Sequence, residues 1–280
     1  MEHNAEIWRR LKKNKGAVVG LFVLVILVLA AIFAEWISPY SRGIEMNIAE
    51  RLQPPSAQHL FGTDNFGRDV FTRVLHGARI SLALGLGTSL ISIVVAGLLG
   101  AVAAYFGGWV DNAIMRVIDV FTSIPPILLA LAVVSALGGN LVNLLIAITI
   151  AEVPGYTRIL RSVFLGVVEM DYVESARAFG TSDFRIICKH VVPNAMGYVI
   201  VQMASGIASM ILYAAALSFV GMGIQPPSPE WGAMLSEARE FMRDFPYLMI
   251  FPGAAIVTAA LSFNLLGDGL RDALDPRLRD

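Results

Sequence analysis

The residue types that usually carry catalysis are scarce in this chain and badly spaced for it. Its four histidines, His3, His59, His76 and His190, lie far apart and in no metal-ligand spacing, so no metal site is expected. The single cysteine, Cys188, has no partner for an intramolecular disulfide and excludes a cysteine-rich zinc site. No glycine is followed by lysine, so the chain cannot form a P-loop, and any ATP-driven process needs a separate ATPase. Intramembrane proteolysis fails a similar test. Leu265-Leu266-Gly267-Asp268 lacks the first glycine of the aspartyl motif, and Met203-Ala204-Ser205-Gly206 has methionine where the serine motif has glycine. The net charge of −1 argues neither for nor against nucleic acid, but no basic stripe with interleaved aromatics occurs, so nucleic acid is not an expected partner; no cofactor is expected. The chain reads as a non-enzyme.

A few ionisable and helix-breaking residues stand inside apolar stretches, where a charge calls for a functional explanation. Glu152 lies about eleven residues into one such run, near mid-depth, and Pro154 loosens the helix beside it. It faces a solute pathway, or it pairs with Arg158 or with a partner subunit; the sequence leaves these open. Arg116 and Asp119, three apart, share a helix face, and a structural ion pair at the membrane boundary is preferred there over a gate. Pro125 and Pro126 are expected to kink the run that holds them. Gly85, Gly87, Gly97 and Gly100 read as points of close helix packing.

Another group of residues is spaced for recognition. Met170 to Pro193 is too polar for a membrane and too regularly patterned for a plain linker. Asp171 with Glu174 three residues on is a capping-box pattern that predicts a short helix from about Tyr172. Gly180 suits its C-terminal cap. Thr181, Ser182 or Asp183 then caps a second short helix carrying Phe184, Ile186 and Ile187, and Pro193 is expected to break the pattern and pre-set the next span. Tyr172, Ala176 and Phe179 recur at i, i+4 and i+7, an apolar ridge on the first helix. Periodicity alone fits equally a helix resting on lipid or on its own bundle.

The elements that position these residues follow from composition. Apolar residues make up 56% of the chain, charged ones 15%, and mean hydropathy is +0.67, whereas ordinary domains hold about 45–50% and about 25%. Lipid is the simplest place for such a surface. Ala17 to Ala34 has no polar side chain and at 1.5 Å per residue reaches about 27 Å, close to a bilayer core. It is longer than a signal-peptide core and lacks a small-x-small site, so it reads as an uncleaved first helix. Further runs cover Ile80–Phe106, Ala113–Leu137, Leu141–Leu165, Asn194–Met222 and Tyr247–Leu270, with Gly107–Gly108 and Gly138–Gly139 as turns. Alternation is absent, so a barrel is excluded and six helices are expected.

Orientation comes from lysine and arginine. Arg9, Arg10, Lys12, Lys13 and Lys15 precede the first span, and Arg116, Arg158, Arg161, Arg177, Arg185, Lys189, Arg271, Arg277 and Arg279 fall on the same side. Both termini are therefore expected in the cytoplasm. Residues 1–15 resemble an amphipathic helix on the membrane surface, with Ile7, Trp8 and Leu11 on one side. Residues 38–79 and 223–246 then lie outside, and both are longer than ordinary connections.

Glu174-Ser175-Ala176, Gly180 six residues after Glu174, and His190-Val191-Val192-Pro193 resemble the EAA loop of ABC-importer permeases. Ser175 for the middle alanine and Val192 for leucine are small or apolar departures. His59 to Asp64, Gly67 to Val70, Gly77 to Leu82, Leu217 to Phe219, Gln225 to Gly232 and Phe263 to Asp272 are similar to strings of the dipeptide and oligopeptide permeases, in the same order. The resemblance implies an all-α type I permease fold in the bacterial inner membrane. It implies an organisation of residues 1–37, 38–79 and 80–280, with a coupling loop at 170–193. The expected partners are a second, homologous permease, two cytoplasmic ATPases and an external solute-binding protein. The solute would be a peptide, or an opine, glutathione or nickel. By resemblance, Tyr172, Glu174, Ser175, Ala176, Phe179, Gly180, Phe184, His190 and Pro193 dock the ATPase. Asp64, Arg68, Asp69, Pro227, Glu230 and Trp231 belong to the external docking region, and the bend at Pro125 and Pro126 lies near the pathway; Glu152 is not part of the family pattern, and its place in the pathway is expected from its depth alone. An ion-driven secondary transporter is the rival reading, but no convincing internal repeat is present and the loop would be left unexplained.

Overall fold

The computed structural model describes residues 2–274, with side chains from residue 8 onward. Ile7, Arg277 and Arg279, which entered the orientation argument, lie outside the described side chains. Thirteen α-helices follow one another: α1 Glu2–Lys13, α2 Lys15–Ile32, α3 Ala34–Ile37, α4 Ser41–Ile44, α5 Val70–Phe106, α6 Gly108–Thr122, α7 Pro126–Leu137, α8 Leu141–Val168, α9 Asp171–Ala178, α10 Asp183–Ile186, α11 Val192–Phe219, α12 Trp231–Ala238 and α13 Tyr247–Leu274. Among the described residues there is no strand, only an isolated bridge between Thr63 and Asp69.

Among the described residues, four rods are long and apolar enough to cross a membrane: α2, α5, the continuous run Asp183–Phe219, and α13. A fifth is added if α6 and α7 make one span. The expected third span is not a kinked helix but a broken one. Its halves meet at 84°. Pro125 is extended at ψ 132°, as a residue before proline must be, and Pro126 opens α7. α8 has the length of a span but carries Glu152, Arg158 and Arg161, and its status rests on other grounds below.

α5 is the axis of the molecule. It begins ten residues before the expected Ile80, runs for 37 residues without proline and is about 55 Å long. Its largest interface is with α8, and α11 flanks it. Small residues set that distance: a Cβ on Gly100 would lie 2.9 Å from the Arg161 backbone nitrogen, and Gly85 is closed off by Ile211. Gly87 and Gly97 meet only ordinary contacts, from Leu145 and Leu160. One core joins Leu84, Ile93, Ala101, Leu144, Leu160, Phe164 and Met210. The second joins Leu24, Val70, Leu82, Ile207, Trp231, Leu248 and Phe263. Around them Phe22, Leu98, Val142 and Ile250 are exposed, which suits a lipid solvent.

Candidate functional site

The segment between α8 and α11 folds into the two expected short helices, and its faces differ sharply. Val173 and Ile186 are fully buried in the first core, and Ala176 packs on it from the edge. Tyr172 is 41% exposed, Phe184 78% and Phe179 88%. The predicted ridge therefore divides: Ala176 turns to the bundle, while the aromatics face outward. Two phenylalanines this open make an apolar contact surface. Glu174, Ser175 and Pro193 are exposed too, and the His190 ring lies 6.5 Å from that of Tyr172.

The helix ends explain the shape. Gly180 has φ +74°, its N–H reaches Arg177 O, and Thr181 N–H reaches Ala176 O. This is a Schellman ending, which glycine adopts without strain. The capping box is not formed. Met170 takes the N-cap position with no side-chain bond, so Asp171 is already inside the helix and Glu174 has no cap to reach back to. Nor does Pro193 break the chain. A π-turn over Ile187–Val191, with Val192 N–H donating to Ile187 O, makes room for the proline ring, and the rod continues into α11. Tyr105, at the C-terminal end of α5, reaches into the segment: its hydroxyl donates to Asp183 Oδ1 at 2.6 Å. Sequence reading missed Tyr105, whose one signal is an aromatic beside the Gly107–Gly108 turn.

At the opposite end of the molecule most of the residues expected in the docking region are buried within the chain. Arg68 is 0% exposed, and Asp64, Asp69, Glu230 and Trp231 are also buried. Asp69 caps α5 by accepting from Thr72 N at 2.8 Å and bonds His59 Nδ1 at 2.9 Å. Asp64 holds Arg68 Nε at 2.6 Å, and Glu237 accepts from Arg68 at 3.0 Å and from Arg73 at 2.7 Å. Glu230 caps α12 through Gly232 N and Ala233 N, and Trp231 Nε1 donates to Val74 O. These groups shape the surface at this end from within, because charged side chains this deep persist only when paired. Pro227 is exposed. It lines an open pocket of about 560 Å³ together with Met46, Phe66, Arg239 and Phe241. Arg73 and Glu237 were not foreseen; Glu237 lies more than 150 residues along the chain from both arginines that it accepts from.

Within the helices, Arg158 bonds Asp119 Oδ1 at 2.8 Å and Thr122 Oγ1 at 3.1 Å, and Arg161 pairs with Asp111. The expected Arg116–Asp119 pair is therefore replaced by bridges from α6 to α8. An interhelical partner is available to Asp119, and an intrahelical pair is weak. Arg158 is likewise not the partner of Glu152. Glu152 is partly buried and has no hydrogen bond or ion pair among the described residues. Pro125 and Pro126 are exposed at the break.

A loop with an outward aromatic pair, on a bundle of long apolar helices, can be compared with known proteins. The family model of the binding-protein-dependent transport system inner membrane component matches residues 74–280. The chain belongs to that family. The N-terminal transmembrane domain of oligopeptide transport permease C matches residues 5–55. The dipeptide transport system permease protein DppC of Alkalihalophilus pseudofirmus is 46% identical over 98% of this chain and 90% of its own length. The glutathione transport system permease protein GsiD of Escherichia coli is 44% identical over the same shares. A structure of the MetNI methionine ABC transporter in an inward-facing conformation matches 72% of this chain and 96% of its own, with a TM-score of 0.60 at 18% identity, which shows the fold. As a member of this family the chain is a polytopic inner-membrane permease of an ABC importer, a transport subunit and not a catalytic one.

Proposed function

We propose that this permease forms half of a pathway for small peptides, completed by a second homologous permease and driven by two cytoplasmic ATPases that grip the 170–193 loop. The observation that carries the reading is the pair Phe179 and Phe184. They are 88% and 78% exposed on a loop whose other face is fully buried. Exposed phenylalanines on a water-facing segment are costly unless a partner covers them, and a few such anchors carry most of an interface's energy. Closure of the ATPases then moves the loop and switches the pathway between its two faces. The switch is driven only by contacts that differ between the two states.

Peptide is the solute class because the relatives named above are a dipeptide and a glutathione permease, and glutathione is itself a short peptide. Nickel and opines are the alternatives. An external solute-binding protein would deliver the cargo to the surface around Pro227, Met46 and Arg239.

Six spans with both termini inside is the topology we favour. It requires α6–α7 and α8 to cross as well. Trp36 and Trp109, each 82% exposed, follow the outer end of α2 and the inner end of α5, where aromatic belts lie at the two interfaces. The decisive test is a Phe179→Ser/Phe184→Ser variant in the assembled transporter. The permease should still reach the membrane, while co-purification of the ATPases falls at least about tenfold, the effect of losing one hot-spot contact. Undiminished ATPase recovery would remove the loop from its role.

A further inference from the structure

The loop is tied to one long helix by polar bonds and joined to the next through a weakened stretch. Tyr105, 7% exposed, sits at the inner end of α5. Its hydroxyl donates to Asp183 Oδ1 at 2.6 Å. The Arg177 guanidinium lies 4.5 Å from its ring centroid, and Arg177 Nη2 donates to the Tyr105 carbonyl at 3.4 Å. Arg177 belongs to α9 and Asp183 to α10, so one tyrosine holds both halves of the loop.

On the other side the loop enters α11 through the π-turn. Val192 N–H reaches back five residues to Ile187 O, and Pro193 has no N–H to give, so the ladder is stretched and then lacks a rung. α5, by contrast, is unbroken over its 37 residues. Its outer end is fixed by the Asp69 cap and by the Arg73–Glu237 bond at 2.7 Å. A stiff rod anchored at both ends transmits displacement better than one with a defect at its entry.

We propose that Tyr105 is the positioning residue through which the loop drives α5, so that ATPase movement reaches the external ion-pair network along α5 rather than α11. The proposal rests on the loop being the ATPase contact. The two fail differently: loss of that contact shows as lost co-purification, whereas loss of the tie leaves assembly intact.

The test uses the whole transporter in proteoliposomes. Tyr105→Phe keeps the ring beneath Arg177 and removes only the bond to Asp183. Membrane level, ATPase co-purification and ATP hydrolysis should be unchanged. Peptide taken up per ATP should fall about tenfold, the scale of one charge-assisted hydrogen bond. A second variant guards against a merely structural effect. In a Cys188→Ser background, Tyr105→Cys with Asp183→Cys removes the tie, and a short reversible thiol linker restores it covalently. Uptake per ATP should be low before linking, recover on linking, and fall again on reduction. Unchanged coupling in Tyr105→Phe would overturn the proposal, as would a linker that leaves uptake low because the loop must slide over α5.

Discussion

We propose that Glu152 faces the passing solute. It sits partly buried on α8, and the cation that would neutralise it within the chain, Arg158, is held by Asp119 at 2.8 Å. A carboxylate left open at that depth favours a cationic visitor, since nearby water is scarce and charge interactions are strengthened. A peptide carries such a charge at its amino terminus. Glu152→Gln keeps the shape and removes the charge. It should lower uptake of a free-amine dipeptide about fivefold to tenfold, on the scale of about 1–1.4 kcal/mol, and leave its N-acetylated form unaffected. Competition uptake of the two peptides in proteoliposomes measures the difference. Equal effects on both would assign Glu152 to packing or to a partner subunit.

At the scale of elements, Gly180 decides how α9 ends. Its φ is +74° and no heavy atom lies within 4 Å of a Cβ built there, so a larger residue meets backbone strain rather than a clash. The cost for an ordinary residue is about 1–2 kcal/mol, less for asparagine. Coupling, read as uptake per ATP, should therefore fall in the order Gly180, Asn, Ala, Val at similar expression. A series that instead follows side-chain volume, with Asn worse than Ala, would refute the backbone explanation. This ending was legible in the sequence because glycine after a short amphipathic run has one dominant use. The apolar rods were legible for the same reason: lipid demands unbroken apolar helices, and composition records that demand. The burial of Arg68 was not legible because Glu237, which accepts from both Arg68 and Arg73, arrives from a distant position, and no local pattern reports a partner so far along the chain. Pro125–Pro126 gave the place of the break but not its 84° turn. The turn depends on what α6 and α7 pack against, and α6 is bridged to α8 by Asp119–Arg158 and Asp111–Arg161.

At the scale of the whole molecule, orientation ties these parts together, and the chain carries its own reporter of it. Cys188 is exposed and lies in the π-turn that follows α10. If six spans put both termini inside, this thiol faces the cytoplasm beside the surface the ATPases cover. A membrane-impermeant maleimide should then label Cys188 in inside-out vesicles and not in right-side-out ones, and bound ATPases should slow the labelling. In a Cys188→Ser background, cysteine at Met46 or Leu60, which are 61% and 56% exposed, should show the reverse pattern. An even number of spans between residues 60 and 188 would give both sites the same sidedness. The candidates between them are α5, α6–α7 and α8, and three crossings give opposite labelling. Should either α6–α7 or α8 lie along the surface, the two sites would label from one side, and Glu152 would lose its place at mid-depth. The same pair of vesicles therefore tests the topology and the premise of the pathway argument together.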